Sequence, residues 1–367
     1  MKICVAVSSL LDHDAIGNDV AHQVAMLKRN NITAYVYSDH VARPAMACDL
    51  VAWPDLMAFI RDPDNILIYH HGGYWGNGGL IIEMARCRIY LKYHNITPPE
   101  FFKPYTRWCR RLPAHERFCK KGLVQTGIIL ETGKVTRFLC DSRFNSGDFV
   151  SRGIEDARIR IVPPFHKLDD FGSVGVDRDL LGRLDDGNIN VLFVGRLVPN
   201  KGHKDMIRVM AAYARMYDTG VRLFIIGGID PSLKEYLKEL TALIAENNLQ
   251  QIVRIKGSVT FAQLHTYYTA CHLFLLMSGH EGFCLPVLEA QYHDLPIVAL
   301  GAGAVPEALG ENQLVFDTMD YEQFAAAIHV IYHNPEFKDY LASQGKINIE
   351  RFSNTTIEPQ FLKAVLD

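Results

Sequence analysis

The chain has no apolar run approaching the roughly 20 residues needed to cross a bilayer. Its first residues, MKICVAVSSLLDHD, hold an apolar stretch too short for a secretory signal and meet acids at once. An excess of positive charge is missing too. The 38 Lys and Arg stand against 41 Asp and Glu, a net charge of −3, which argues against general nucleic-acid binding. The eight cysteines never fall as CxxC, so structural zinc is not expected. They read as reduced, mostly buried thiols of a cytoplasmic protein. Short repeats and low-complexity tracts are also lacking. What remains is ordinary globular composition, 49% hydrophobic and 22% charged, in 367 residues, enough for two domains with their own cores.

Short β-rich runs alternate with helical patterns over nearly the whole length. KICVAV, AYVY, NILIY, RIYLKY, RFLC and RIRIV read as strands of the first half. NVLFV, VRLFII, IVRI, LFLLM, PIVAL and QLVF repeat the pattern after residue 190. Near-continuous apolar runs are what strands buried on both faces look like. Helical stretches at 18–30, 202–217, 232–247 and 321–333 lie between them, so the class is α/β with parallel sheets. The stretch 167–189 holds turn residues and acids and no strand, and reads as the linker. Two doubly wound, Rossmann-like domains facing a central cleft are expected.

HEGFCLPVLEA, residues 280–290, sets Glu281 and Glu289 on either side of a Gly and a Pro. Pro286 lacks an amide proton and suits only a helix's first turn, so a helix opens near it. Glu281 is then in a loop and Glu289 in the helix's first turn, both near an end that attracts anions and hydroxyls. VLFVGRLVPNKGHKDM adds a strand ending at Gly195, then Arg196 and Lys201 before the next helix. Ligands collect beyond the carboxyl ends of strands in such sheets, and a guanidinium with an ammonium suits a diphosphate. Two solvated loop cations are the plainer alternative. Near the start, a strand, a loop and Gly17 precede a helix, where a glycine lets backbone approach a phosphate or sugar.

Together, VGRL…KG and EGFCLPVLEA resemble the retaining glycosyltransferases of family 4, which have the GT-B fold and an E-x7-E motif. YHHGG (69–73), YHNITPPEFF (93–102), CDSRFN (140–145), RIVPP (160–164) and GAGAVPEAL (301–309) are similar to further family segments, in the family's order. The resemblance implies an amino-terminal acceptor-side domain (1–170), a carboxy-terminal nucleotide-sugar domain (171–350) and a last helix (351–367) returning to the first. It implies that Arg196 and Lys201 neutralise the donor's diphosphate, including charge growing on the leaving group. Glu289 would accept from the ribose hydroxyls. Glu281 would hold hydroxyls of the transferred sugar with the amides of Phe283, Cys284 and Leu285. The family often has Gly where this chain has Cys284, whose side chain would narrow the sugar pocket. His94 would face the donor sugar, against the plainer reading of a polar strand end. Gly257, Ser258 and Val259 would receive the nucleobase. His70 and His71 end a strand on the acceptor side without an assigned role.

The implied function is transfer of a hexose from a nucleotide diphosphate sugar, GDP-mannose or a UDP-hexose, to a glycan or lipid-linked glycan. No metal or other cofactor is required, and bacterial surface polysaccharide is the implied product. The alternative is a non-catalytic sugar-nucleotide sensor or partner on the same scaffold. DHD (12–14) and DPD (62–64) imitate a metal-binding DxD of another fold, and GAGAVP imitates a dinucleotide fingerprint, but neither has the required context. Finally, 101–121 interleaves seven Lys and Arg with five aromatics. It reads either as a peripheral contact with an anionic membrane, at the inner face, or as aromatics packed on the core beneath solvated cations.

Overall fold

The computed structural model describes all residues except 12–13, 43–48, 107–114 and 218–219. Two residues of DHD, Cys48 and Cys109, and the middle of the basic aromatic segment therefore lie outside the described residues. The chain divides into two compact units. The first comprises 1–99, 115–167 and 352–367, and the second 168–351 together with 100–106 among the described residues.

In the first unit the strands are β1 (Ile3–Leu11), β2 (Ala34–Ala42), β3 (Ile66–His71), β4 (Arg88–Tyr93), β5 (Val135–Cys140) and β6 (Ile159–Ile161). They form one sheet in the order β2-β1-β3-β4-β5-β6, every pairing parallel. All six residues of β3 are buried, as befits a strand covered on both faces. Helix Ala15–Arg29 begins where Asp14 accepts from the Gly17 amide, and Lys28 and Arg29 in its last turn complement the helix dipole. Its buried Val20, Val24 and Leu27 recur at helical spacing and join a core with Ile3, Val5, Ile66 and Ile68. Ile357, Phe361, Ala364 and Val365 of helix Asn354–Leu366 complete that core.

The second unit has β7 (Ile189–Val194), β8 (Val221–Ile226), β9 (Val253–Gly257), β10 (Leu273–Leu276), β11 (Ile297–Leu300) and β12 (Leu314–Phe316). Their order is β12-β11-β10-β7-β8-β9, again all parallel. The order reverses between β10 and β7, which makes the carboxyl ends of these two strands the switch point where doubly wound sheets bind ligands.

Two expectations change. The stretch expected as the linker, 167–189, begins at the boundary between the units but carries helix Arg178–Leu184, capped by Asp177 and burying Leu180 and Leu184 one turn apart. Residues 100–106, expected in the first domain, group with the second unit instead. Phe102 and Tyr105 are buried, and Tyr105 packs edge-on against Tyr236 while its hydroxyl donates to Glu239 at 3.0 Å. Those aromatics are core, and Lys103 beside them is exposed. Among the described residues, no helix is long and apolar enough to cross a membrane.

Candidate functional site

Three glycines let the loops at the carboxyl end of the second sheet meet. Gly202 has φ 71°, and a Cβ there would lie 1.9 Å from the Met277 carbonyl oxygen at the end of β10. Gly227 after β8 would place a Cβ 2.0 Å from the Gly195 carbonyl after β7. Backbone bonds tie the same segments: Leu197 to Gly228 at 2.9 Å, Gly227 to Gly257 at 2.9 Å and Gly279 to Asn200 at 2.8 Å. Gly303, at φ 61°, lies against the backbone of Glu281, whose carbonyl accepts from Ala304 at 3.0 Å. GAGA, set aside in the sequence as an imitation fingerprint, is thus the support beneath Glu281.

On this platform Lys201 ends a single 3₁₀ turn (Pro199–Lys201), and its Nζ donates to both Glu281 oxygens, at 2.7 and 2.8 Å. The side chains are 17% and 7% exposed, so this is a largely desolvated, forked pair. Helix Leu285–Tyr292 follows with Pro286 in its first turn. Its cap, Cys284, adopts φ 83°, a left-handed conformation that costs a residue with a Cβ about 1–2 kcal/mol. Because the first turn begins only at Leu285, Glu289 stands in the second turn rather than the first. Its Oε2 accepts from the Tyr268 hydroxyl at 2.6 Å. Burial raises the Glu289 pKa, and the Tyr268 bond acts in the opposite sense. Burial likewise lifts the Cys284 thiol, with Glu281 and Glu289 adding to the rise and Lys201 opposing it. Cys284 therefore sits within electrostatic reach of all three.

Arg196 is exposed on the loop after β7, and Phe283 is buried between Glu281 and the helix start. Gly257 ends β9 at φ 69°, followed by Ser258 and Val259; a Cβ on Gly228 would stand 3.5 Å from the Ser258 hydroxyl. Two contributors were missed in the sequence. Neither Tyr268 nor His203 was singled out there, and buried His203 bonds the Tyr236 hydroxyl at 3.0 Å. Burial, then the Lys201 charge, pull the His203 pKa down to about 3.

Gly17 and His94 belong to the first unit. The Gly17 amide donates to Asp14 Oδ2 at 3.3 Å, so the helix cap already uses it. His94 Nδ1 lies 2.8 Å from Asp141 Oδ2, and its Nε2 lies 2.8 Å from His70 Nδ1. Both ring nitrogens of His94 thus face polar atoms of the protein. His70 Nε2 faces Gln23 Oε1 at 3.2 Å, and Lys92 donates to Asp141 Oδ1 at 2.5 Å and to the Val162 carbonyl. Lys92 is completely buried; burial disfavours its charge, but Asp141 and Asp19 outweigh this and raise its pKa. His71 bonds Thr126 at 2.8 Å, and burial lowers its pKa to about 4. The sequence signal for this network was Lys92 within IYLKY, a run otherwise of apolar and aromatic residues.

Residues 182–347, which contain Arg196, Lys201, Glu281 and Glu289, match the family model described as glycosyl transferases group 1. The D-inositol 3-phosphate glycosyltransferase of Acidothermus cellulolyticus is 33% identical over 183 residues, covering 48% of this chain and 41% of that protein. The D-inositol 3-phosphate glycosyltransferase of Saccharomonospora viridis is 30% identical over 203 residues, covering 53% of this chain and 47% of that protein. The chain thus spans less than half the length of these relatives. Among solved structures, Anabaena Alr3699/HepE in complex with UDP and glucose superposes with TM-score 0.73 at 18% identity, over 100% of this chain and 99% of that one. WaaG, a glycosyltransferase involved in lipopolysaccharide biosynthesis, gives 0.71 at 12% identity over 99% of each. The fold, two doubly wound parallel-sheet units, is GT-B.

Proposed function

We propose that this protein is a retaining glycosyltransferase of family 4, moving a hexose from a nucleotide diphosphate sugar to a sugar hydroxyl. The observation that carries the reading is the Lys201–Glu281 pair at the switch point, with Glu289 one turn into the adjoining helix. A cation there meets the donor's diphosphate, with Arg196 from the same loop as a second. Glu281 accepts from hydroxyls of the transferred sugar. Glu289, with one oxygen held by Tyr268, offers the other to the ribose. The turn Phe283–Leu285 forms the wall between the two acids, and the Gly257–Val259 turn receives the base.

In the reaction the bond from the anomeric carbon to the phosphate oxygen breaks while the acceptor oxygen bonds the same face. The acceptor's proton passes to the leaving phosphate, so no separate base is needed. Lys201 and Arg196 stabilise the negative charge that grows on that phosphate. No metal takes part in this scheme. A UDP-hexose is the first donor to test, because the similar Anabaena structure contains UDP and glucose, and GDP-mannose the second. A glycan or lipid-linked glycan of a bacterial surface polysaccharide is the proposed acceptor, met at the inner face of the membrane. Helix His115–Glu131 favours the lipid-linked form, since Phe118, Val124 and Ile128 are 43%, 64% and 53% exposed beside Lys121. Anionic liposomes should retain the protein at low salt and release it at high salt.

The deciding experiment is a thermal-shift screen of UDP, GDP, ADP and dTDP sugars, followed by acceptor trials and proton NMR of the product. An α-linked product from an α-linked donor is expected. Donor binding without turnover under any acceptor would favour a sugar-nucleotide sensor, and inversion at the anomeric carbon would refute the retaining scheme.

A further inference from the structure

Within the first unit, Asp19, His70 and His94 bring one ligand atom each to within 4.8 Å of one another. They come from three elements that meet at this sheet's own switch point. Asp19 is on helix Ala15–Arg29 after β1, His70 is in β3, and His94 follows β4. Asp19 and His70 are 0% and 4% exposed. Asp19 Oδ1 accepts from the Phe165 amide at 3.0 Å, while its buried Oδ2 has no hydrogen-bond partner. An acceptor oxygen in that state calls for a proton or a cation.

The two imidazoles make the same demand. His94 Nδ1 faces a carboxylate, which can only accept, so this nitrogen carries a proton, and in the neutral ring Nε2 keeps a lone pair. With the Gln23 carbonyl oxygen facing it, His70 Nε2 too donates and in the neutral ring Nδ1 keeps a lone pair; a turned Gln23 amide, whose nitrogen is buried without a partner as placed, would reverse this. Those two lone pairs face each other at 2.8 Å. Such an arrangement is repulsive unless a shared proton or a cation holds the two nitrogens together. Asp141 and Gln23 are also the outer partners that orient metal-bound histidines and fix their tautomers. The Lys92 charge nearby is committed to Asp141 and the Val162 carbonyl.

We propose that Asp19 Oδ2, His70 Nδ1 and His94 Nε2 bind one divalent transition-metal ion, Zn²⁺ or a close analogue. Two imidazole nitrogens and a carboxylate oxygen suit such ions rather than Mg²⁺ or Ca²⁺. A separation of 2.8 Å matches two ligands at about 2.0–2.1 Å subtending roughly a right angle. Asp19, with a ligand atom within 4.8 Å of both nitrogens, then closes the third position, and the slight exposure of the His94 side chain, 7%, leaves the ion a way in. The ion is structural: it clamps helix Ala15–Arg29 to the ends of β3 and β4, and stands outside the sugar transfer proposed above.

The test is titration of the chelator-treated full chain with Co²⁺, read by visible absorption, and with Zn²⁺, read by calorimetry. One equivalent should bind, with a tetrahedral or five-coordinate Co²⁺ spectrum and a raised Tm. Asp19→Asn and His70→Gln should each weaken binding by at least about tenfold, given what even outer-shell losses cost. His333→Ala is the control, because His329 and His333 form a pair one turn apart, ring centroids 4.3 Å, that could chelate a metal at the surface. Unchanged binding in that variant supports the buried site. Loss of binding in His333→Ala, retention in both core variants, or no binding to the wild-type chain would overturn the proposal. In that last case a shared proton, or a reversed Gln23 amide, joins the two histidines. The wild-type titration decides the matter even if a core variant fails to fold.

Discussion

Lys201 Nζ lies 2.7 and 2.8 Å from the two carboxylate oxygens of Glu281, across 80 residues of sequence. Each group neutralises the other where little water reaches, so deleting one strands its partner. Lys201→Ala should cost about 1–3 kcal/mol of stability, less than a fully buried pair because Lys201 keeps some solvent. Turnover should fall roughly a hundredfold or more. Adding Glu281→Gln to Lys201→Met should recover stability without recovering activity. Urea denaturation and donor hydrolysis, measured side by side, check both halves. Wild-type turnover in Lys201→Ala would remove the lysine from the diphosphate.

Tyr268 controls how readily Glu289 ionises. Burial raises the Glu289 pKa and the tyrosine hydroxyl opposes that rise. Tyr268→Phe should therefore lift the pKa further, leaving the acid protonated and a poorer ribose acceptor at higher pH than in the wild type. UDP affinity by calorimetry across about pH 5 to pH 9 should weaken most on the acid side, with the acid limb displaced upward. A limb that stays in place would separate Tyr268 from ribose recognition.

For stability the same glutamate has the opposite sign. The unfolded chain releases this proton near 4.5 and the folded chain only higher, so rising pH across that interval weakens the fold. Glu289→Gln should remove that decline while reducing nucleotide affinity.

Buried His203 should make the fold acid-labile. Its folded pKa is about 3 against 6.5 for an unperturbed histidine, so the unfolded chain takes up the proton first. The stability is complete above 6.5 and declines as pH falls towards 3, by about 1.4 kcal/mol per pH unit. His293, lowered to about 4 by burial, adds a slope of the same sign. His203→Gln should flatten the decline between about pH 6 and pH 4 by its share. An unaltered slope would mean that His203 does not titrate on unfolding.

Two glycines at similar φ should respond very differently to alanine. At Gly133, φ 64°, an added Cβ would meet nothing within 4 Å, so Gly133→Ala should cost only the strain of about 1–2 kcal/mol. At Gly202 the new carbon meets the Met277 carbonyl at 1.9 Å, so Gly202→Ala must push the loops after β7 and β10 apart. Loss of soluble yield or of donor binding is expected there. Conversely, Cys284→Gly should relieve strain at φ 83° and gain up to about 1 kcal/mol over Cys284→Ala, while admitting bulkier donor sugars. Thermal unfolding and a donor panel would test these three variants together.

The strands were legible from short β-rich runs, most clearly in β3, β7 and β10, where nearly every residue is buried, while β2, β6, β9 and β12 are only partly covered. Glu281 and Lys201 were legible for a different reason: Pro286 and Gly202 fix where helices start, and so where the acids and cations stand. The Tyr268 contact was not legible, since a tyrosine at helical spacing reads as packing and its hydroxyl partner is 21 residues away. Nor did composition disclose that Phe102 and Tyr105 belong to the second unit, because burial by a distant segment leaves no local pattern. Lys92 gave the clearest unused signal, a charge placed where only a buried partner makes it tolerable.

Helix Asn354–Leu366 supplies Ile357, Phe361 and Val365 to the core of the first unit, and Arg137 and His166 bond to the Ala364 and Phe352 carbonyls of that returning segment. During synthesis, then, the half of the protein that leaves the ribosome first has to wait for residues 352–367, while the second half can already be complete. Until those residues emerge, the core that Val20, Val24 and Leu27 share with them is incomplete. A nascent chain stalled near residue 350 would carry one finished unit and one sticky, unfinished unit, and chaperones would find their target in the older half.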